Sequence, residues 1–278
     1  VRVLILLPKL DFDPSEVAVS WSVLRGAGIE VTFATPDGKP AAGDPIMLDG
    51  RGLTVFGWLL RANRDARTAY RALVADPAFR APLSYAALQA GAYDGLVLPG
   101  GHRARGMRDY LESPVLQRFV AAFFERGAPV GAICHGVVLA ARARSASSGA
   151  SVLRGRTTTA LTWSLERSAW RLGRIARFWD PNYYRTYTEG SHDPPGSCSV
   201  QAEVTRALAS PGDFLDVPRS APDYARKTSG LARDSASDAR PAWVVRDGNY
   251  VSARWPGDVH TFARTFLDVL RAATAVSG

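Results

Sequence analysis

Residues 128–144 read A-P-V-G-A-I-C-H-G-V-V-L-A-A-R-A-R, and no other stretch constrains the fold as tightly. Pro129 to Ile133 is a short apolar run of the length of a buried strand, and the apolar residues after His135 fall at helical spacing. Cys134 stands at the joint. Ala132 and Gly136 on either side are small, as a sharp strand-to-helix turn requires where two backbones pass closely. The pattern predicts a nucleophile elbow that carries sulfur. A thiol at the first turn of a helix faces unpaired N–H groups, so a shift towards thiolate is expected. The alternative is a buried cysteine that only packs.

The flanking chain supplies the sheet. Val1 to Leu7 is almost wholly apolar, as in a parallel strand covered on both faces. A helix over Glu16 to Arg25, opened by Pro14 and closed by Gly26 and Gly28, leads to a second strand at Ile29 to Ala34. This βαβ unit predicts a doubly wound, mostly parallel α/β sheet sandwiched by helices. Tyr93 to Leu98 is a further strand ending in P-G-G-H, and Leu111 to Arg126 reads as one amphipathic helix. Strand character is also expected at Val152 to Leu161, Arg174 to Trp179 and Tyr183 to Thr188, with short helices at Trp163 to Leu172 and Val200 to Leu208. A hairpin over Ala242 to Arg254 turns at Asp247-Gly248-Asn249, and a last helix opens at Pro256 or Gly257. We read one domain over 1–278, with insertions at about 36–92 and 180–240. The first insertion carries helical patterns at Ala62 to Leu73 and Leu83 to Ala90. The polar, turn-rich part of the second, from Pro211 to Ala239, reads as a surface excursion or lid.

Composition narrows the function. Cys134 and Cys198 are the only cysteines, so neither a disulfide framework nor a cysteine-based zinc site is expected. His102, His135 and His260 match no metal-ligand spacing, and no metal is expected. The formal charge of +8 comes from scattered arginines rather than one aromatic-laced basic stripe, which argues against a nucleic-acid partner. No apolar run is long enough to span a membrane, and a cytoplasmic location is expected.

Cys134 needs partners. The N–H of His135 is one natural oxyanion donor, and Gly101, in the loop of Gly100, Gly101 and His102, is the second. Glu16, at the start of the helix after the first strand, projects towards the same carboxyl edge and is the candidate acid or base. Glu16, L-P-G-G-H at 98 to 102 and A-I-C-H-G at 132 to 136 together resemble the PfpI superfamily, within the class I glutamine-amidotransferase-like folds. That superfamily includes parkinsonism-associated deglycases, PfpI-type peptidases, heat-shock glyoxalases and isonitrile hydratases.

The resemblance implies a flavodoxin-like fold, commonly homodimeric, without an organic cofactor. It implies Cys134 as nucleophile, Glu16 as the carboxyl group beside the sulfur, and His135 as a base, although a histidine there is also explained as elbow filler. Several members orient that histidine with a further acid. Glu166 is the nearest candidate here and Asp258 another, each equally readable as an ordinary helix acid or cap. Tyr183, Tyr184, Tyr187 and Glu189 either line a pocket or pack on the core.

Three readings of function follow. The first is an enzyme in which the Cys134 thiolate and Glu16 turn a 2-oxoaldehyde into a hydroxy acid. The second is the same site acting on a nitrile-like group or an amide. The third is a stress holdase or thiol oxidation sensor.

Overall fold

The computed structural model describes residues 1–54 and 57–276. Its centre is a seven-stranded sheet. In spatial order the strands are Leu83–Ser84, Glu30–Thr35, Arg2–Leu6, Gly95–Leu98, Val130–Ile133, Tyr250–Ala253 and Val244–Asp247. All neighbours run parallel except the last two, which form the expected hairpin.

Alternation along the central strands sends successive side chains to opposite faces and so builds two cores. Val3 and Ile5 pack with Val97 and Ile133 under the helices Pro14–Gly26 and Val259–Val276. Leu4 and Leu6 pack with Leu96, Leu98, Val130 and Ala132 under Ala104–Glu112, Pro114–Glu125 and Gly136–Arg142. Burial on both faces explains why these strands read as unbroken apolar runs. The architecture is therefore the doubly wound α/β sandwich that the sequence predicts.

Several elements differ from expectation. Leu83 to Ala90 is not helical: Leu83–Ser84 is the sheet's edge strand, followed by single turns at Tyr85–Ala87 and Ala90–Ala92. Tyr85 ties this segment to the core by donating its hydroxyl to the carbonyl of Leu7. The expected helix over Leu111 to Arg126 is two helices, because Ser113 ends one and caps the next, accepting from Leu116 N, with Pro114 at the first position.

Among its described residues, Val152 to Leu161 makes a single isolated bridge, Thr158 to Phe214. Arg174 to Ala176 belongs to a helix, Trp163–Ala176, and Tyr183 to Thr188 is turn and bend. The strand reading failed there because aromatic and β-branched residues serve side-chain packing rather than a ladder.

The polar segment 211–239 is fastened at its far end. Asp234 N donates to Gly257 O at 2.8 Å, and the Asp234 carboxylate accepts from His260 N at 3.1 Å and Thr261 N at 2.6 Å, at the start of the last helix. Lys227 Nζ donates to the carbonyls of Arg240 and Ala242, and Arg254 Nη1 donates to Lys227 O. A turn-rich stretch with little apolar content is thus held by backbone acceptors and one carboxylate.

Candidate active site

Cys134 leaves the strand with φ of +56°, the left-handed conformation that strains a non-glycine residue and marks an elbow. Two glycines make room for it. A methyl group on Gly136 would stand 1.9 Å from Leu98 O, so only glycine lets the elbow helix cross the neighbouring strand. A methyl group on Gly100 would stand 2.7 Å from His135 N, 3.0 Å from Cys134 Cβ and 3.2 Å from Glu16 Oε2. The P-G-G loop, the elbow and Glu16 therefore meet at one point.

The first helix delivers the carboxyl. Asp13 caps it, accepting from Ser15 N at 2.8 Å and Glu16 N at 3.1 Å. Asp13 N in turn donates to Gly100 O at 2.8 Å, and Gly100 N donates to Glu16 Oε2 at 2.7 Å. Loop and helix start are bound reciprocally. Glu16 Oε1 has no partner of ordinary hydrogen-bond geometry, and the Cys134 thiol is the side-chain donor beside this carboxyl.

Burial governs the protonation of this cluster. Glu16 is fully buried, and desolvation, reinforced by Asp13, lifts its carboxyl well above the usual range. Cys134 is 6% exposed, and desolvation together with the nearby Glu16 and Asp13 raises its thiol well above the usual range. This corrects the expected shift towards thiolate: the N–H of His135 favours the charged sulfur, but burial outweighs it. His135 Nδ1 lies 3.4 Å from the sulfur. Burial, with the positive charges of Arg185 and Arg142 and the ring of His102 nearby, brings His135 down to about 3, so its imidazole is neutral at neutral pH. A neutral thiol thus rests between a carboxyl that burial lifts and a neutral imidazole of low basicity.

Neither acid proposed to orient His135 is committed to it. Glu166 is buried at the cavity wall, 3.0 Å from Arg185 Nε, and accepts from Val200 N at 3.0 Å; burial pushes it up to about 7. Asp258 binds Arg254 through both oxygens, at 2.7 and 2.9 Å, and accepts from Trp243 N. It braces the hairpin against the last helix, and the start of that helix is capped by Asp234 instead.

His102 is buried in an aromatic wall, its ring 4.6 Å from Tyr183 and 4.8 Å from Tyr184, with Nε2 3.6 Å from Asp44 Oδ2. Tyr183 donates to Asp44 Oδ2 at 2.8 Å. Of the tyrosine group, Tyr184 reaches the cavity, while Tyr187 bonds Arg142 and Glu112 away from it. Among the described residues, no group of three or more His, Cys, Asp or Glu is placed to hold a metal ion. No described helix is long and apolar enough to cross a membrane.

A cavity of about 170 Å³ borders Cys134, Glu16, Asp13, Gly101 and His102. Its other walls include residues that sequence reasoning passed over. Leu161, Leu165, Ala169 and Leu172 come from the loop and helix after the elbow, and Ser229 to Arg233 with Trp255 come from the chain's last third. Arg233 lies over the Trp255 ring at 5.2 Å, donates to Leu60 O at 3.3 Å, and its charge acts on Asp13 and Glu16. Asp13 had a local signal, an acid three residues before Glu16 at a helix start; Arg233 had none.

Comparison with known proteins agrees with the fold. An uncharacterised protein of Schizosaccharomyces pombe is 25% identical over 198 residues, covering 70% of this chain and 71% of that one. Among solved structures, the 24 kDa Rapid Encystment Protein of Francisella tularensis superposes with a TM-score of 0.62 at 15% identity, covering 97% of this chain and 98% of that one. Glyoxalase III of Candida albicans superposes with a TM-score of 0.58 at 17% identity, covering 97% of each chain. Drosophila melanogaster DJ-1beta does so with a TM-score of 0.51 at 16% identity, over 99% and 95%. A family model described as ThiJ/PfpI family-like matches residues 7–195, which hold the elbow, the P-G-G loop and Glu16, and the chain therefore belongs to the ThiJ/PfpI family.

Proposed function

We propose that this protein is a cysteine-dependent enzyme that converts a small 2-oxoaldehyde into a 2-hydroxy acid. The observation that carries the reading is the resting arrangement at Cys134: a strained, buried thiol between protonated Glu16 and neutral His135, at the wall of a cavity. As the sulfur attacks the aldehyde carbon, the thiol proton passes to Glu16 Oε1, the oxygen otherwise without a partner. Glu16 gives its proton to the oxygen of the new hemithioacetal, while the N–H groups of His135 and Gly101 stabilise the developing charge.

Glu16 then removes the hydrogen from the former aldehyde carbon through one oxygen as its other oxygen protonates the neighbouring carbonyl oxygen; it next protonates the neighbouring carbon and takes back the hemithioacetal O–H proton. The aldehyde carbon is oxidised to a thioester as its neighbour is reduced to an alcohol, so electrons balance within the substrate. Water then cleaves the thioester, its hydroxyl going to the acyl carbon and its proton returning to sulfur through Glu16. The test is methylglyoxal consumption with lactate detection. Cys134→Ser and Glu16→Gln are each expected to lose at least about 100-fold in kcat/KM. Wild-type protein that alkylates selectively at Cys134 yet forms no lactate would overturn the reading.

A further inference from the structure

The cavity is larger and more apolar than a three-carbon dicarbonyl requires. Its volume of about 170 Å³ has room for on the order of ten waters, whereas methylglyoxal fills a fraction of that space. Beyond the polar group at the thiol, the walls are mostly apolar, with Met47, Leu60, Leu165, Leu172, Leu231 and Trp255, and carry Ser168, Ser229 and Arg233 among them. Leu231 and Trp255 belong to the part of the chain after residue 195, beyond the residues that the family model matches.

The wall is also fixed in place. Asp234 is bonded to Gly257, His260 and Thr261, and Arg254 holds Lys227, so the 229–233 strip is fastened on both sides. A preformed apolar cavity beside a nucleophile gains most from a ligand that fills it with hydrocarbon.

Building on the enzyme reading above, we propose that the substrate is an electrophile carrying a branched-alkyl or ring-sized apolar group, which the 229–233 strip and Trp255 enclose while Cys134 meets the reacting carbon. Among 2-oxoaldehydes this selects isobutylglyoxal over methylglyoxal. Each added carbon group buried against these walls strengthens binding at the transition state, and a preference of at least about tenfold is expected.

Two measurements on the full chain test this separately from the chemistry. The first is the rate of Cys134 alkylation by N-benzyl iodoacetamide against iodoacetamide, which needs no turnover. The benzyl reagent is expected to react at least about tenfold faster and with saturation. Leu231→Asp, at a position 51% exposed and so tolerant of a charge, is expected to bring that ratio towards one. Equal rates in the wild type, or a ratio untouched by Leu231→Asp and Leu172→Asn together, overturns the proposal. The second is the ratio of kcat/KM for isobutylglyoxal and methylglyoxal. Turnover of both at equal efficiency overturns the proposal. Turnover of neither, with the benzyl preference intact, overturns the oxoaldehyde reading and supports the apolar cavity.

Discussion

The sulfur of Cys134 and the Nδ1 of His135, its neighbour in the chain, lie 3.4 Å apart in a site where both groups are held neutral. The sulfur therefore rests as a protonated thiol rather than as a thiolate.

The thiol's pH dependence reads this out. Burial and the carboxyls of Glu16 and Asp13 raise it, so the alkylation rate of Cys134 should climb steadily with pH into the alkaline range. Glu16→Gln removes one raising influence, and the profile should move to lower pH. A profile that stays in place, or moves upward, would contradict the coupling.

His135 makes a separable contribution to stability. Its folded value of about 3 lies below the ordinary histidine value, so between roughly pH 3 and 6.5 the unfolded chain binds the extra proton. Stability from this group is complete above 6.5 and is lost as pH falls, by roughly 3–5 kcal/mol in the limit. Glu166, pushed up to about 7, and Asp234, pushed up to about 6, act oppositely, because the folded state holds their protons. The comparison to make is urea unfolding of wild type and His135→Asn from pH 7 to 4, in which those two cancel. The variant should lose less stability on acidification.

Arg185 is 1% exposed, bonded to Glu166 and Glu189, and lies against the rings of both Trp163 and Trp170, at 5.0 and 5.2 Å. Arg185→Met should destabilise by about 3–5 kcal/mol, since it strands the buried carboxyl of Glu166. Glu166→Gln should cost less, because a carboxyl near 7 is partly neutral already. Chemical denaturation at pH 7 decides the order, and an equal cost for both would be evidence against it.

Gly136→Ala forces a methyl group against Leu98 O, in backbone that has no rotamer to yield. A cost of roughly 3 kcal/mol is expected, with slower alkylation of Cys134 as the elbow shifts. Full stability in this variant would show that the crossing is looser than its geometry.

What the sequence disclosed was local. The thiol's turn, its small neighbours and the P-G-G loop are written in adjacent residues, and Glu16 is placed by a strand and a helix start. The two-faced cores follow from apolar runs that only a covered parallel strand tolerates. Arg233 and Leu231 were illegible because they reach the cavity through long-range packing of a polar segment with no periodicity of its own. The raised thiol was illegible too: a helix turn after a strand argues for thiolate, and only the depth of burial, with two carboxyls alongside and an elbow helix of 7 residues, reverses the sign. Tyr183 and Tyr184 read as strand because their bulk suits a sheet, but they wall in His102 and Asp44.

The cavity's construction from both ends of the chain sets a timetable for synthesis. A nascent chain that has emerged only to about residue 200 already contains the elbow, the P-G-G loop and Glu16, yet lacks the Ser229 to Arg233 strip, Trp255 and the strand Tyr250–Ala253 to whose Ala253 carbonyl Cys134 N donates. During that interval the cysteine stands without its shield and is open to oxidants and to other thiols. The final third thus acts as the cap on a reagent bottle, and ribosome-bound intermediates should be labelled at Cys134 far faster than the finished protein.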